Sequence, residues 1–171
     1  MVAPKGEGTR PTADRVRESL FNILMRNVRG ARVLDLFAGS GALALEALSR
    51  GAQNAVLVEI DRAARVAIAE NMRIVGASDR ALLIGADWQA ALVQLHEPFD
   101  LVFMDPPYAM VDVYGRAAAE LSQRGLLAPG AVLVMEHRAS EDLALPEGFS
   151  LYDQRRYGEA KLAFVREEER S

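Results

Sequence analysis

The stretch Phe99-Asp100-Leu101-Val102-Phe103-Met104-Asp105-Pro106-Pro107-Tyr108 is an apolar run that stops at a carboxylate, two prolines and an aromatic ring. Each proline fixes φ and lacks an N–H, so the turn after the run is stiff and the Pro106 carbonyl has no competing donor beside it. The Asp105 carboxylate adds a second acceptor. Two acceptors directed into one space can hold both hydrogens of a planar exocyclic amine, and the Tyr108 ring offers the attached base a face to stack on. Asp105, Pro106, Pro107 and Tyr108 are therefore candidate catalytic residues for alkylation of an amino group. The same residues also suit the plain task of ending a strand, because Asp-Pro-Pro favours turns. Choosing between the two requires a donor of the transferred group.

Upstream, Ala31-Arg32-Val33-Leu34-Asp35-Leu36-Phe37 reads as a short β-run, broken by Ala38-Gly39-Ser40-Gly41 before the helical pattern of Ala42 to Leu48. Glycine lets backbone approach a ligand closely, and the free N–H groups that open a helix suit a carboxylate or phosphate. Gly39 to Ala44 also satisfies G-x-G-x-x-A, so a dinucleotide enzyme and a plain tight turn both remain open. S-adenosylmethionine is favoured by Asp35, an acid late in the first strand that can meet a cationic ammonium or sulfonium, whereas a pyrophosphate has little use for it. A second strand, Ala55 to Val58, ends at Glu59, a candidate acceptor for ribose hydroxyls of either cofactor; a third, Ala81 to Ile84, leads to Asp87 and Trp88, candidates for the adenine. Strand-end acids collect along the carboxyl edge of a parallel sheet, where open α/β folds bind ligands. Asp61, Asp87 and Asp112 are equally placed to cap helices, and capping is the reading favoured for Asp61 and Asp112.

These residues together resemble a class I S-adenosylmethionine-dependent methyltransferase, and specifically the bacterial family that methylates N2 of a guanine in 16S ribosomal RNA. The resemblance rests on Gly8-Thr9-Arg10-Pro11-Thr12, Asp14 to Glu18, Leu34 to Leu43, Leu45 to Gly51, Val58-Glu59-Ile60-Asp61-Arg62 and Asp105-Pro106-Pro107-Tyr108. The Asp-Pro-Pro-aromatic tetrad is shared with enzymes that methylate DNA adenine, and the G-T-R-P-T segment is what points to ribosomal RNA. Family members usually carry a short Arg- and Gly-rich arm ahead of that segment, and this sequence starts at Met1, close before it. The resemblance implies S-adenosylmethionine as donor, S-adenosylhomocysteine as product and no metal. It places the methionine moiety by Asp35, Phe37, Ala38, Gly39 and Gly41, the ribose by Glu59 and Ile60, and the adenine by Asp87 and Trp88. The implied partner is 16S ribosomal RNA, within a small subunit or an assembly intermediate.

With 171 residues the chain suits one well-cored domain, expected as an α/β, doubly wound, Rossmann-like sheet, mostly parallel with a C-terminal antiparallel hairpin. The hairpin reading comes from the β-runs Ser150 to Tyr157 and Lys161 to Val165 around Gly158; a helix is expected around Gly115 to Arg124, a turn at Pro129-Gly130 and a strand over Ala131 to Glu136. No run reaches the roughly 18 apolar residues of a membrane span, and the first residues do not form a signal-peptide core, so a soluble, cytoplasmic protein is expected; it is taken as a monomer. The absence of cysteine excludes disulfides and thiolate metal sites, and His96 and His137 read as surface or edge residues. The net charge of −4 is unevenly spread. Residues 1–32 hold Lys5, Arg10, Arg15, Arg17, Arg26, Arg29 and Arg32 against Glu7, Asp14 and Glu18, a local surplus that can steer phosphate. Residues 1–30 are thus expected to form an RNA-facing segment and helix, with Arg10, Thr12, Arg15 and Arg17 as candidate contacts, and residues 31–171 the catalytic domain. Arg15 and Arg17 equally read as the solvated side of a helix whose Val16, Leu20 and Leu24 point inward. A DNA adenine methylase, a non-catalytic RNA-binding or assembly factor and an NAD dehydrogenase are the competing classes.

Overall fold

The computed structural model describes residues 11–107 and 110–169. The chain runs α1 (Pro11–Ile23), α2 (Met25–Val28), β1 (Arg32–Asp35), α3 (Ala42–Ser49), β2 (Asn54–Val58), α4 (Arg62–Ile74), β3 (Ala81–Ile84), α5 (Trp88–Val93), β4 (Phe99–Met104), α6 (Val113–Gln123), β5 (Leu127–Arg138), β6 (Phe149–Tyr157) and β7 (Ala160–Glu167). The strands form one sheet in the order β3-β2-β1-β4-β5-β7-β6. β1 to β5 pair in parallel, while β7 runs antiparallel to both β5 and β6, so the expected doubly wound sheet with its terminal hairpin is observed.

Strand sequence decides the two faces. Val33, Ala55, Leu57, Leu101, Phe103, Val132, Val134, Leu162 and Phe164 point into a core closed by α1, α3 and Ile68 of α4. The intervening Leu34, Val56, Val58, Val102, Met104, Leu133, Met135, Ala163 and Val165 point into a second core under α5 and α6. Strict alternation in both directions is what a sheet covered on both faces requires. The helices α3 and α4 lie on one side and α5 and α6 on the other, so the winding reverses between β1 and β4. An open crevice results there, outside the strands' carboxyl ends.

Several local expectations are corrected. The Pro129-Gly130 turn does not precede a strand; it is a bulge inside β5, where Phe99 pairs with Leu127 and Leu101 already with Val132. Gly130 takes φ of 76°, which lets the extra residues loop out while the ladder resumes. Asp112 does not cap α6 through its side chain, since it sits at φ −83°, ψ −8°, wound into the turn in which Val113 N–H bonds the Met110 carbonyl; its carboxylate pairs with Arg116 at 3.4 Å. A capping side chain needs an extended backbone. His137 is buried at 6 % exposure because β7 covers β5, and its ring packs edge-on to Tyr114.

Helix α1 is anchored in the first core by Leu20 and Phe21, followed by Leu24, with Val16 only partly covered; the Phe21 ring meets Phe103 edge-on at 6.0 Å. Both rings are essentially unexposed. Phe21→Ala is expected to lower the free energy of unfolding by about 3–5 kcal/mol in a denaturant titration; a loss of a few tenths would place α1 outside the cooperative fold.

Candidate functional site

The chain leaves β1 still tied to both neighbours. Leu36 N–H bonds the Phe103 carbonyl at 3.1 Å and Ala38 N–H bonds the Val58 carbonyl at 2.9 Å. Gly39 and Gly41 then turn it with φ of 58° and 82°, a region where side chains are strained. At Gly41 space is also short, since a Cβ would sit 3.1 Å from Leu57 Cδ2 and 3.4 Å from Ile68 Cγ1. Two side chains pin the loop. One Glu59 oxygen accepts from Gly39 N–H at 2.8 Å and the other from Asp61 N–H at 2.9 Å, so a single carboxylate ties the β1 loop to the β2 loop. From the opposite direction Asn71, fully buried on α4, donates to the Ser40 carbonyl at 3.0 Å.

Asp105 begins the turn after β4. Pro106 is buried, Asp105 and Pro107 are exposed, and the Pro107 carbonyl accepts from Met110 N–H at 3.0 Å. The Pro106 carbonyl has no hydrogen-bond partner among the described residues. This corner and the glycine loop face one cleft of about 520 Å³, whose walls include Phe37, Gly39, Glu59, Ile60, Asp87, Trp88, Asp105, Pro106 and Pro107. Leu36, Val58, Ala86 and Met110 complete its lining. Asp105 also borders two further cavities, one of about 390 Å³ beneath α1 and one of about 880 Å³ beside β5 and the β6–β7 hairpin. A molecule in the first cleft and one in the others can therefore meet at Asp105.

The remaining expected residues fall as follows. Ala38 is buried within the loop and does not line the cleft. Asp87 caps α5, accepting from Ala90 N–H at 2.9 Å, and Asp61 caps α4 in the same way. Both capping carboxylates use one oxygen for the cap. Trp88 is 5 % exposed, with the Arg116 guanidinium 5.6 Å from its ring centre. Arg15 is exposed, whereas Arg17 is engaged by Asp14 at 3.0 Å and Glu46 at 3.8 Å and borders the cavity beneath α1. Arg10 and Tyr108 lie outside the described residues, as does the Thr12 side chain. Asn71 and Glu136 were not singled out by the sequence. Asn71 had a signal, since it falls in register with the buried Ala64, Ala67 and Ile68 of α4, where an apolar residue belongs.

The family described as Conserved hypothetical protein 95 matches residues 1–166. Ribosomal RNA small subunit methyltransferase D of Escherichia coli is 37% identical over 160 residues, spanning 93% of this chain and 80% of that protein. Among solved structures, a conserved hypothetical protein of Streptococcus pyogenes superimposes with a TM-score of 0.81 at 36% identity, over 90% of this chain and 95% of the other. A methyltransferase-like protein solved with SAH shares the fold at a TM-score of 0.72 and 14% identity, over 92% of this chain and half of the other.

Asp35 lies behind the glycine loop at 2 % exposure, with its Oδ1 accepting from Phe37 N–H at 3.3 Å. Burial pushes its carboxyl up from 3.8 to about 7; the Phe37 N–H opposes the shift and the Glu59 charge adds to it. The folded chain thus holds this proton more tightly than the unfolded one, and the stability that Asp35 contributes falls as pH rises from 3.8 to about 7, then stays level. Asp35→Asn carries no charge at any pH. Its unfolding free energy relative to the parent chain is expected to rise by a few kcal/mol, on the order set by the shift, between pH 5 and pH 8; an unchanging difference would mean that the fold keeps Asp35 ionised throughout.

Proposed function

The chain belongs to this family and has the fold of the S-adenosylmethionine-dependent methyltransferases, and on that premise we propose that it transfers a methyl group from S-adenosylmethionine to the exocyclic N2 amine of a guanine in 16S ribosomal RNA. The observation that carries the reading is the single cleft shared by the glycine loop, Glu59 and the Asp105–Pro107 corner. Charge supports the donor. Asp35 and Glu59 raise the negative potential behind the loop, and among the described residues neither pairs with a Lys or Arg. A cationic ligand relieves that cost, whereas a pyrophosphate adds to it. In this reading Phe37 to Gly41 hold the methionine end. The ribose falls to Glu59 and Ile60; each Glu59 oxygen already accepts one backbone N–H and keeps a second lone pair. Asp87 and Trp88 border the adenine.

When bound, S-adenosylmethionine supplies a methyl group on a sulfonium and needs no further activation by the protein. The chain's own work is placement, which can contribute about 7–11 kcal/mol when reacting groups are held in line. The Asp105 carboxylate and the Pro106 carbonyl accept the two hydrogens of the amine and leave its lone pair turned towards the cleft. As the nitrogen gains positive charge, both acceptors bind it more strongly than the neutral amine, which is selective stabilisation of the transition state. Tyr108, next after Pro107, is assigned the stacking face for the base, worth about 1–3 kcal/mol. Such a base must leave its helix, which looped or single-stranded RNA makes cheaper.

Residues 1–30 are assigned to the RNA, through Arg10, Thr12, Arg15 and Arg17, and residues 31–171 to catalysis. The start of α1 shares its cavity with Asp105, which supports that division. The substrate is assigned as the small subunit or an assembly intermediate, met by a monomer in the cytoplasm.

Labelled S-adenosylmethionine, offered with small subunits from cells lacking this protein, with naked 16S RNA and with DNA, is expected to mark N2-methylguanosine in the ribosomal RNA. Label on DNA adenine would end the reading. Asp105→Ala is expected to abolish transfer while S-adenosylhomocysteine binding stays within the parent range, and a variant that still methylates would remove Asp105 from the mechanism.

A further inference from the structure

The Asp105 and Pro106 acceptors suit any planar exocyclic amine, so they do not by themselves tell guanine from adenine or cytosine. What separates the three is the ring nitrogen beside the amine. In guanine N1 carries a hydrogen, whereas adenine N1 and cytosine N3 present a lone pair. A carboxylate next to the amine site accepts from the first and repels the other two.

Glu136 occupies that place. Met104 of β4 pairs with Met135 of β5, so the next residues, Asp105 and Glu136, stand side by side on adjacent parallel strands, which are spaced about 4.8 Å apart. Met104 and Met135 both enter the core under α6, and alternation sends Asp105 and Glu136 to the opposite face. Consistent with this, both residues line the cavity beneath α1 as well as the larger one beside the hairpin. The Glu136 backbone carbonyl is held by the Tyr114 hydroxyl, which fixes the strand end, yet its carboxylate has no hydrogen-bond or ion-pair partner among the described residues. An acceptor left without a partner at a cavity wall is costly, and a donor brought to the Glu136 carboxylate relieves that cost.

We propose that Glu136 is the guanine-reading residue of this site, accepting the N1–H of the target base while Asp105 and Pro106 hold its N2 amine. The assignment rests on the guanine-N2 reading above. The test replaces the target guanine, once mapped by nuclease digestion and mass spectrometry, with 2-aminopurine, which keeps the 2-amino group and lacks the N1 hydrogen. The full chain is expected to methylate guanine faster than 2-aminopurine. In Glu136→Ala that preference should shrink about 10–100-fold, mainly through slower transfer to guanine. Glu136→Gln should keep much of the guanine rate, because its amide oxygen still accepts N1–H, and should gain on 2-aminopurine, because its amide N–H can donate to the bare N1. Thermal midpoint and S-adenosylhomocysteine binding, matched to the parent, show that both variants fold. A preference unchanged in both variants, with N2-methylguanosine still the product, overturns the Glu136 assignment alone; a product methylated elsewhere overturns the guanine-N2 reading and this one with it.

Discussion

Parallel pairing of β1 with β4 is the constraint on which the site depends. The register sets Asp35 against Phe103, and the Leu36 N–H extends the ladder one step further to the Phe103 carbonyl, so the two chains leave the sheet at the same level. Their following helices pack on opposite faces, which prevents either from roofing the gap. The glycine turn and the proline turn are therefore forced to open on a common crevice. Nothing in either turn alone would achieve that. A shift of one residue between these strands would send every side chain of one of them to the wrong core, so burial of Val33, Leu34, Val102 and Phe103 enforces the register that chemistry needs.

The same edge gathers negative charge that the fold does not neutralise. Asp35, Glu59 and Glu136 have no basic partner among the described residues, while the arginines of the sheet's other end are used structurally. Arg32 bonds the Pro98 carbonyl, pairs with Glu97 at 2.9 Å and covers the Phe99 ring, at the amino ends of β1 and β4. Stability would favour pairing these groups within the chain. Leaving the acids unpaired keeps acceptors ready, while Asp35 holds its proton chiefly because it is buried, with the Glu59 charge adding a smaller push.

The central strands were legible in the sequence, because β1, β2, β4 and β5 are covered on both faces and read as apolar runs closing on Asp35, Glu59, Asp105 and Glu136. The glycine loop and the Asp105 corner were legible for the same reason: positive φ at Gly39 and Gly41 and paired prolines leave few alternatives. What escaped was whatever depended on partners distant in sequence. His137 became buried only because β7 pairs with β5, and the Pro129-Gly130 turn became a bulge because β4 offered a ladder on both sides of it. Capping was favoured for Asp112 and not for Asp87, and the structure has it the other way round, since composition does not reveal that a preceding turn already winds Asp112 into helical angles. Glu136 looked like the last residue of a strand until its neighbour proved to be Asp105.

The N-terminal charge surplus takes a different meaning once α1 is in place. Val16 and Arg17, near the start of the helix, border the cavity that holds Asp105, and the helix then leads through α2 to the opposite, amino-terminal end of β1. Arg26, Arg29 and Arg32 therefore follow the chain away from the cleft, and Arg17 is partly spent on Asp14 and Glu46. Of the basic residues in the described part of this segment, Arg15 is left exposed near the site. Phosphate attraction scales with the number of cations that reach the backbone, and a small number gives modest affinity with a shallow salt dependence. In this reading the base itself is recognised by acceptors fixed in the crevice, and a target already unstacked lowers the cost of reaching them, because charge attraction to phosphate carries no information about the base.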